Sequence, residues 1–207
     1  MENKIRAVVL DFGGVMTTCA MPELVKAIVD EKGLPWKAVA DAFGKFRREY
    51  DLGNISVGEF YARAWRDAGI EIDAETEARI EEADTASFLG RNTRTLEWMK
   101  GMKERGLLVG ILTNMPHELA PRFREKFADY IALADTLVVS SEVHFVKPMP
   151  EIYAIVERNL GLKPCEIVFV DDSRMNCEGA ERVGWRVVRF ESNAQAEAAL
   201  SAIMHLP

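Results

Sequence analysis

The chain has 207 residues, 48% of them hydrophobic, which is enough for one sizeable core plus a smaller satellite and excludes a disordered or fibrous protein. Its formal net charge of -7 and isoelectric point near 5.2 leave no basic surface for a phosphate backbone, so nucleic acid is not an expected partner. No apolar run approaches the roughly 20 residues that span a bilayer, and Cys19, Cys165 and Cys177 form no CxxC pair; a cytoplasmic protein without membrane attachment is expected, the cysteines serving as small apolar residues.

The first apolar run, Ile5 to Leu10, has the length and branching of a buried strand. From Cys19 to Phe88 the strand signal disappears. Four helical patterns follow one another there, punctuated by Gly33-Leu34-Pro35, Leu52-Gly53-Asn54 and Gly69. The acidic stretch Glu71 to Asp84, with Ile72 and Ile80 at helical spacing, reads as a solvated helix face. Beyond it, helical patterns over Thr93–Arg105, Pro150–Leu160, Met175–Val183 and Ala194–Met204 alternate with strand runs at Leu107–Leu112, Thr136–Val139, Ile167–Val170 and Trp185–Arg189. Alternation of this kind predicts an α/β fold, a Rossmann-like parallel sheet with helices on both faces. The stretch after the first strand is a small all-helical insertion. Trp36, Trp65, Trp98 and Trp185 fall among apolar neighbours and are expected in cores, whereas His205 is expected to be exposed.

Ligands of open parallel sheets bind beyond the carboxyl ends of the strands, so the polar residues after each apolar run carry the information. Strand one ends in Asp11-Phe12-Gly13-Gly14, strand two in Thr113-Asn114 and strand four in Asp171-Asp172-Ser173, with Lys147-Pro148 ahead of an intervening helix. Phosphoryl transfer requires an in-line nucleophile, a cation that neutralises the nonbridging oxygens, and fixed donors. Asp11 supplies the nucleophile, followed by glycines that let a ligand approach. Clustered Asp11, Asp171 and Asp172 would repel one another without a cation, and all-oxygen ligands favour Mg²⁺. Lys147 would hold Asp11 and pair with phosphate as a point charge. The Thr113 hydroxyl, Asn114 and backbone around Gly14 would bind the remaining oxygens. Asp172 or Ser173 would also cap the helix that follows.

This order of motifs resembles the haloacid dehalogenase-like (HAD) hydrolase superfamily. The stretches Lys147-Pro148-Met149-Pro150-Glu151-Ile152-Tyr153 and Val168-Phe169-Val170-Asp171-Asp172-Ser173-Arg174-Met175-Asn176 are most similar to the branch that holds the phosphatase domain of soluble epoxide hydrolase and bacterial sugar-phosphate phosphatases. The resemblance implies an aspartyl-phosphate on Asp11, and Mg²⁺ held by Asp11, the Gly13 carbonyl and Asp172. Asp171 would assist through water or Lys147, and Asn176 would stand in the outer shell. It also implies a core of residues 1–16 and 91–207 beneath a cap of residues 17–90, with Tyr50 to Ser56 forming a cap loop near the site. The substrate would be a small phosphorylated metabolite, and the enzyme a monomer or homodimer.

Three positions depart from the family pattern. Gly13 stands where most such phosphatases carry an acid/base aspartate, whose loss typically costs ~10²–10⁴ in rate. His144 and Met149 stand where relatives often have glycine and an acid. A proton relay through His144, Glu142 or His117 could compensate, although His117 and His144 also read as structural or rim residues. Without one, activity is expected to be greatest on good leaving groups. The alternatives are a metal-independent haloacid dehalogenase, which needs no acidic pair, and a phosphometabolite-binding regulatory protein that lost turnover with its acid/base group.

Overall fold

The computed structural model describes residues 4–18 and 21–204, so Cys19 and His205 lie outside the described residues. Five parallel strands form one sheet in the order β3-β2-β1-β4-β5. They are β1 (Ala7–Leu10), β2 (Leu108–Thr113), β3 (Thr136–Val139), β4 (Ile167–Asp171) and β5 (Arg186–Arg189). Strands β1 and β4, both internal, are buried at every position, which is why they read as nearly continuous apolar runs rather than alternating ones.

Alternate residues of the strands feed two different layers. Val8, Leu10, Val109, Ile111, Val168 and Val170 face α5 (Thr93–Glu104), α6 (Leu119–Lys126), α7 (Ala128–Ile131) and α11 (Asn193–Met204), meeting Met99, Phe123, Phe127, Tyr130 and Leu200. Ala7, Val9, Ile167 and Phe169 face the other way, toward α9 (Pro150–Leu160) and α10 (Arg174–Arg182), and pack on Ile152, Tyr153, Val156, Ala180 and Trp185. The remaining core helix, α8 (Ser140–Val143), is a single turn directly after β3.

The four helical patterns between β1 and β2 are α1 (Met21–Glu31), α2 (Trp36–Asp51), α3 (Val57–Ala68) and α4 (Ala74–Ser87). They enclose an apolar cluster of their own, including Val25, Val29, Tyr50, Phe60, Tyr61, Trp65 and Ile80. Its centre is aromatic: the rings of Tyr50 and Phe60 stack with centroids 4.7 Å apart, and Phe43 meets Tyr61 edge-on at 5.5 Å. Ser56 accepts the Glu59 N–H and Asp73 the Thr76 N–H, so α3 and α4 begin on side-chain caps, and Gly69 ends α3 in a left-handed conformation. The two connections to the sheet run side by side: the Thr18 N–H bonds the Gly90 carbonyl, and Thr17 pairs with Arg91. None of the helices is long and apolar enough to cross a membrane among the described residues.

Trp65, Trp98 and Trp185 are buried, and Trp36 packs against the cluster of the helical insertion. The acidic stretch is a correction. Most of α4 is exposed or half-buried, but Asp84 is only 6% exposed, because its partner Arg47 reaches it from α2 rather than from its own helix. Helices α6 to α8 have no counterpart among the helical patterns of the sequence. They are short, and Pro121 lies within the first turn of α6, where it is tolerated.

Candidate active site

Asp11 is the first residue beyond β1, and its N–H is tied to the Val170 carbonyl of β4 at 2.9 Å. Its Oδ1 accepts from the Phe12 N–H at 2.7 Å and lies 2.6 Å from Lys147 Nζ. Oδ2 has no hydrogen-bond donor among the described residues, which leaves that oxygen to the cavity. The chain then turns sharply through Gly13 and Gly14, the latter at φ 74°. A side chain at Gly14 would collide with the Asp172 carboxylate, so glycine there is what lets strands one and four bring their acids together. The Gly14 N–H itself donates to Thr17 Oγ1 at 3.1 Å. Gly14 lines the cavity beside Asp11, while its amide is taken by Thr17.

Lys147 is the hub. Its ammonium, 1% exposed, sits between Asp11 and Asp171 Oδ2 at 2.7 Å and donates to the Leu112 carbonyl at 3.1 Å. Burial alone would pull its pKa down, but the two carboxylates outweigh burial and raise it, so the lysine is a permanent cation. Asn114 fixes the lysine backbone on both sides, accepting the Lys147 N–H at 2.8 Å and donating to its carbonyl at 3.1 Å. Gly179 of α10 admits Pro148 next to it, since any side chain there would strike the proline ring.

Asp171 is fully buried, and both its oxygens are committed. Oδ2 takes Lys147; Oδ1 takes the Ser173 N–H at 2.8 Å; Asn176 Nδ2 lies 3.1 Å from each. Ser173 caps α10 as expected. Asp172 stands at the exposed rim, the better placed of the pair to meet a ligand. Asp11, Asp171 and Asp172 each offer one oxygen, all within 4.8 Å of one another. Three carboxylates thus share one ammonium. Burial first, and Asp171 second, push the Asp11 carboxyl up to about 8, and the same two causes raise Asp172. A divalent cation would relieve that surplus charge.

These groups open onto a cavity of about 240 Å³ walled by Asp11, Gly13, Asn114, Lys147 and Asp172 below, and by Arg47, Asp51 and Phe88 above. Thr113 is 1% exposed, with its hydroxyl 3.4 Å from the Asn114 carbonyl, and does not line this cavity; Asn114 forms the wall there. The three proton-relay candidates are not brought to it either. His144 meets the Leu52 carbonyl through Nδ1 at 2.9 Å, His117 abuts Gly53, and Glu142 pairs with Arg124 on the surface. Sequence reasoning missed Arg47, Asp51 and Phe88 as individual wall residues. The segment Tyr50 to Ser56 was the available signal, and Arg47 lies one turn before Asp51 on the same face of α2.

Both the strand order and the position of the acid-lined rim are those of a Rossmann-like α/β fold with its ligand site beyond the strand ends. The chain belongs to the haloacid dehalogenase-like hydrolases, whose family model matches residues 5–184. It is similar to a D-ribitol-5-phosphate phosphatase of Bacteroides thetaiotaomicron, 26% identical over 212 aligned positions that cover 97% of this chain and 99% of the relative. An N-acetylmuramic acid 6-phosphate phosphatase of Pseudomonas putida is 28% identical, with 88% of this chain and 81% of the relative covered. Among solved structures, a HAD family enzyme of Bacteroides thetaiotaomicron in complex with magnesium and inorganic phosphate superposes with a TM-score of 0.71 at 22% identity, covering 90% of this chain and 94% of that one, and so shares the fold.

Proposed function

We propose that this HAD-family phosphatase hydrolyses a small phosphomonoester of the sugar- or polyol-phosphate class through a covalent phosphoryl group on Asp11. The observation that carries the proposal is the Lys147 bridge between Asp11 and Asp171, with Asp172 inside the same cluster. Relatives named for D-ribitol 5-phosphate and N-acetylmuramic acid 6-phosphate support the substrate class, and the 240 Å³ cavity suits a compact ligand. Residues 1–16 and 91–207 would form the catalytic core and residues 17–90 a cap that keeps bulk water from the phosphoryl group.

In this reading Asp11 Oδ2 attacks phosphorus while Oδ1 stays anchored by Phe12 N–H and Lys147. The bond from phosphorus to the ester oxygen breaks, and the alcohol leaves. Water then attacks phosphorus and returns Asp11 to a carboxylate. Lys147 favours the ionised nucleophile against burial and Asp171 and keeps its cationic charge close to the transferring group, Asn114 holds the lysine backbone, and Asp171 orients the ammonium. The all-oxygen cluster fits Mg²⁺, with Asp11, Asp172 and the Gly13 carbonyl as holders and Asp171 behind them; bound there, the ion supplies charge neutralisation and alignment of the phosphoryl oxygens. The paired acids disfavour a metal-free dehalogenase.

A panel of phosphomonoesters with and without Mg²⁺, run beside 2-haloacids, tests the assignment. Metal-dependent phosphate release is expected. Halide release without metal would move the enzyme to the dehalogenases, and tight binding without release would make it a regulatory protein.

Two further outcomes follow from the site. An Asp11 carboxyl raised from 3.8 to about 8 means that the metal-free fold binds a proton the unfolded chain gives up. The associated stability is complete below pH ~4 and is lost as pH climbs through about 8. Mg²⁺ competes with that proton, so the rise in melting temperature it produces should be larger at pH 8 than at pH 5; equal rises would contradict the linkage. Gly14→Ala should strain the turn by ~1–2 kcal/mol and displace Asp172, raising the Mg²⁺ concentration for half-maximal activity about tenfold. An unchanged Mg²⁺ requirement would remove Asp172 from the ion's holders.

A further inference from the structure

The cavity contains a carboxylate that the reaction above does not use. Asp51 ends α2 and lines the same cavity as Asp11, with its side chain 10% exposed. Its Oδ1 is engaged by Arg47 Nε at 3.0 Å, whereas Oδ2 has no partner among the described residues. Arg47 in turn is braced by Asp84 at 3.4 Å and lies 5.3 Å from the Phe88 ring centroid, so the pair cannot swing freely.

The Asp51 main chain is fastened to the catalytic core. Its carbonyl accepts from Ser140 Oγ at 2.5 Å, and that hydroxyl accepts the Met115 N–H at 2.9 Å, so the end of β2 and the start of α8 both fix where Asp51 stands. The next carbonyl, of Leu52, meets His144, and Gly53 at φ 71° fits against His117 and the Ser141 carbonyl, where a side chain could not. A carboxylate on the helical insertion is thereby held as part of the rim.

We infer that Asp51 is the general acid and base of this phosphatase, taking over from the insertion the proton-transfer work for which Gly13 has no side chain. The inference rests on the phosphatase reading. As Asp11 Oδ2 bonds to phosphorus, the bond from phosphorus to the ester oxygen breaks with its electron pair on that oxygen, which takes the proton from Asp51. When water attacks the phosphorus of phospho-Asp11, Asp51 accepts the water proton. The bond from phosphorus to the Asp11 oxygen breaks, leaving inorganic phosphate and a free Asp11 carboxylate. Burial, against the pull of Arg47, raises the Asp51 carboxyl above the ordinary aspartate range, which suits a group that must carry the proton at the start.

The test compares phenyl phosphate, a poor leaving group, with p-nitrophenyl phosphate, a good one, at saturating Mg²⁺. With Asp51 as acid, the wild-type kcat/KM should depend little on the leaving group. Asp51→Asn should lose about 10²–10³-fold on phenyl phosphate but less than about tenfold on p-nitrophenyl phosphate. It should also release p-nitrophenol in a burst of about one equivalent per enzyme, because dephosphorylation of Asp11 slows. A steep leaving-group dependence in the wild type would overturn the inference without any variant, and so would equal losses on both substrates in a variant that melts like the wild type. No phosphate release by the wild type from either ester would instead count against the phosphatase reading itself.

Discussion

Asp11→Asn is expected to lower phosphate release by about 10⁴-fold or more, the scale on which loss of a nucleophile is felt, while the metal-free protein melts no lower than the wild type. The second half is as diagnostic as the first. An asparagine Oδ1 can still accept from the Phe12 N–H and from Lys147, so the local scaffold survives. The variant also removes one of three clustered carboxylates, the one that burial first and repulsion by Asp171 second push up to about 8. Mg²⁺ should then raise its melting temperature less than that of the wild type. Phosphate assays and melting curves with and without the ion check both parts. A strong loss of stability together with activity would show instead that Asp11 holds the fold rather than the substrate.

Lys147→Met should have the largest effect on stability. The ammonium is 1% exposed and within 2.7 Å of both Asp11 and Asp171. Taking it away leaves two buried carboxylates with no counter-charge, a defect of about 3–5 kcal/mol, which lowers the melting temperature of a chain this size by about 6–20 °C. The loss should grow with pH. Without the lysine the Asp11 carboxyl rises further, so the variant is least impaired below pH ~4, where Asp11 is protonated in folded and unfolded chains alike, and most impaired above pH 8. Mg²⁺ should restore part of the stability but not the activity. A variant that melts like the wild type at pH 8 would mean that the acids are neutralised by something other than Lys147.

Much of the acid-lined rim was legible because a parallel sheet gathers residues by topology. Asp11, Asn114, Lys147 and Asp172 follow apolar runs or precede a helix in the order a doubly wound sheet requires, so spacing alone predicts that they meet. The strands were equally plain, since burial of the internal ones on both faces leaves mostly branched and aromatic side chains there. What the sequence hid are choices made by tertiary contact. Thr113 and Asn114 are adjacent and both polar, and nothing local says that the hydroxyl turns inward while the amide takes hold of Lys147 and faces the cavity. Asp84 sits in an acidic helix with the composition of a solvated one, and only the approach of Arg47, 37 residues earlier, buries it. Asp51 is invisible as a proton carrier for the same reason: it comes to the cavity wall by tertiary contacts, with its carbonyl tied to Ser140 and the loop at Gly53 seated against His117 and Ser141.

The most direct test of the account is to quench the enzyme in acid during steady turnover of p-nitrophenyl phosphate with Mg²⁺, digest it, and map the phosphoryl group by mass spectrometry. The account predicts an acyl-phosphate on the peptide containing Asp11, absent from Asp11→Asn and enriched in Asp51→Asn. Phosphate released at the wild-type rate with the group on another residue would contradict it.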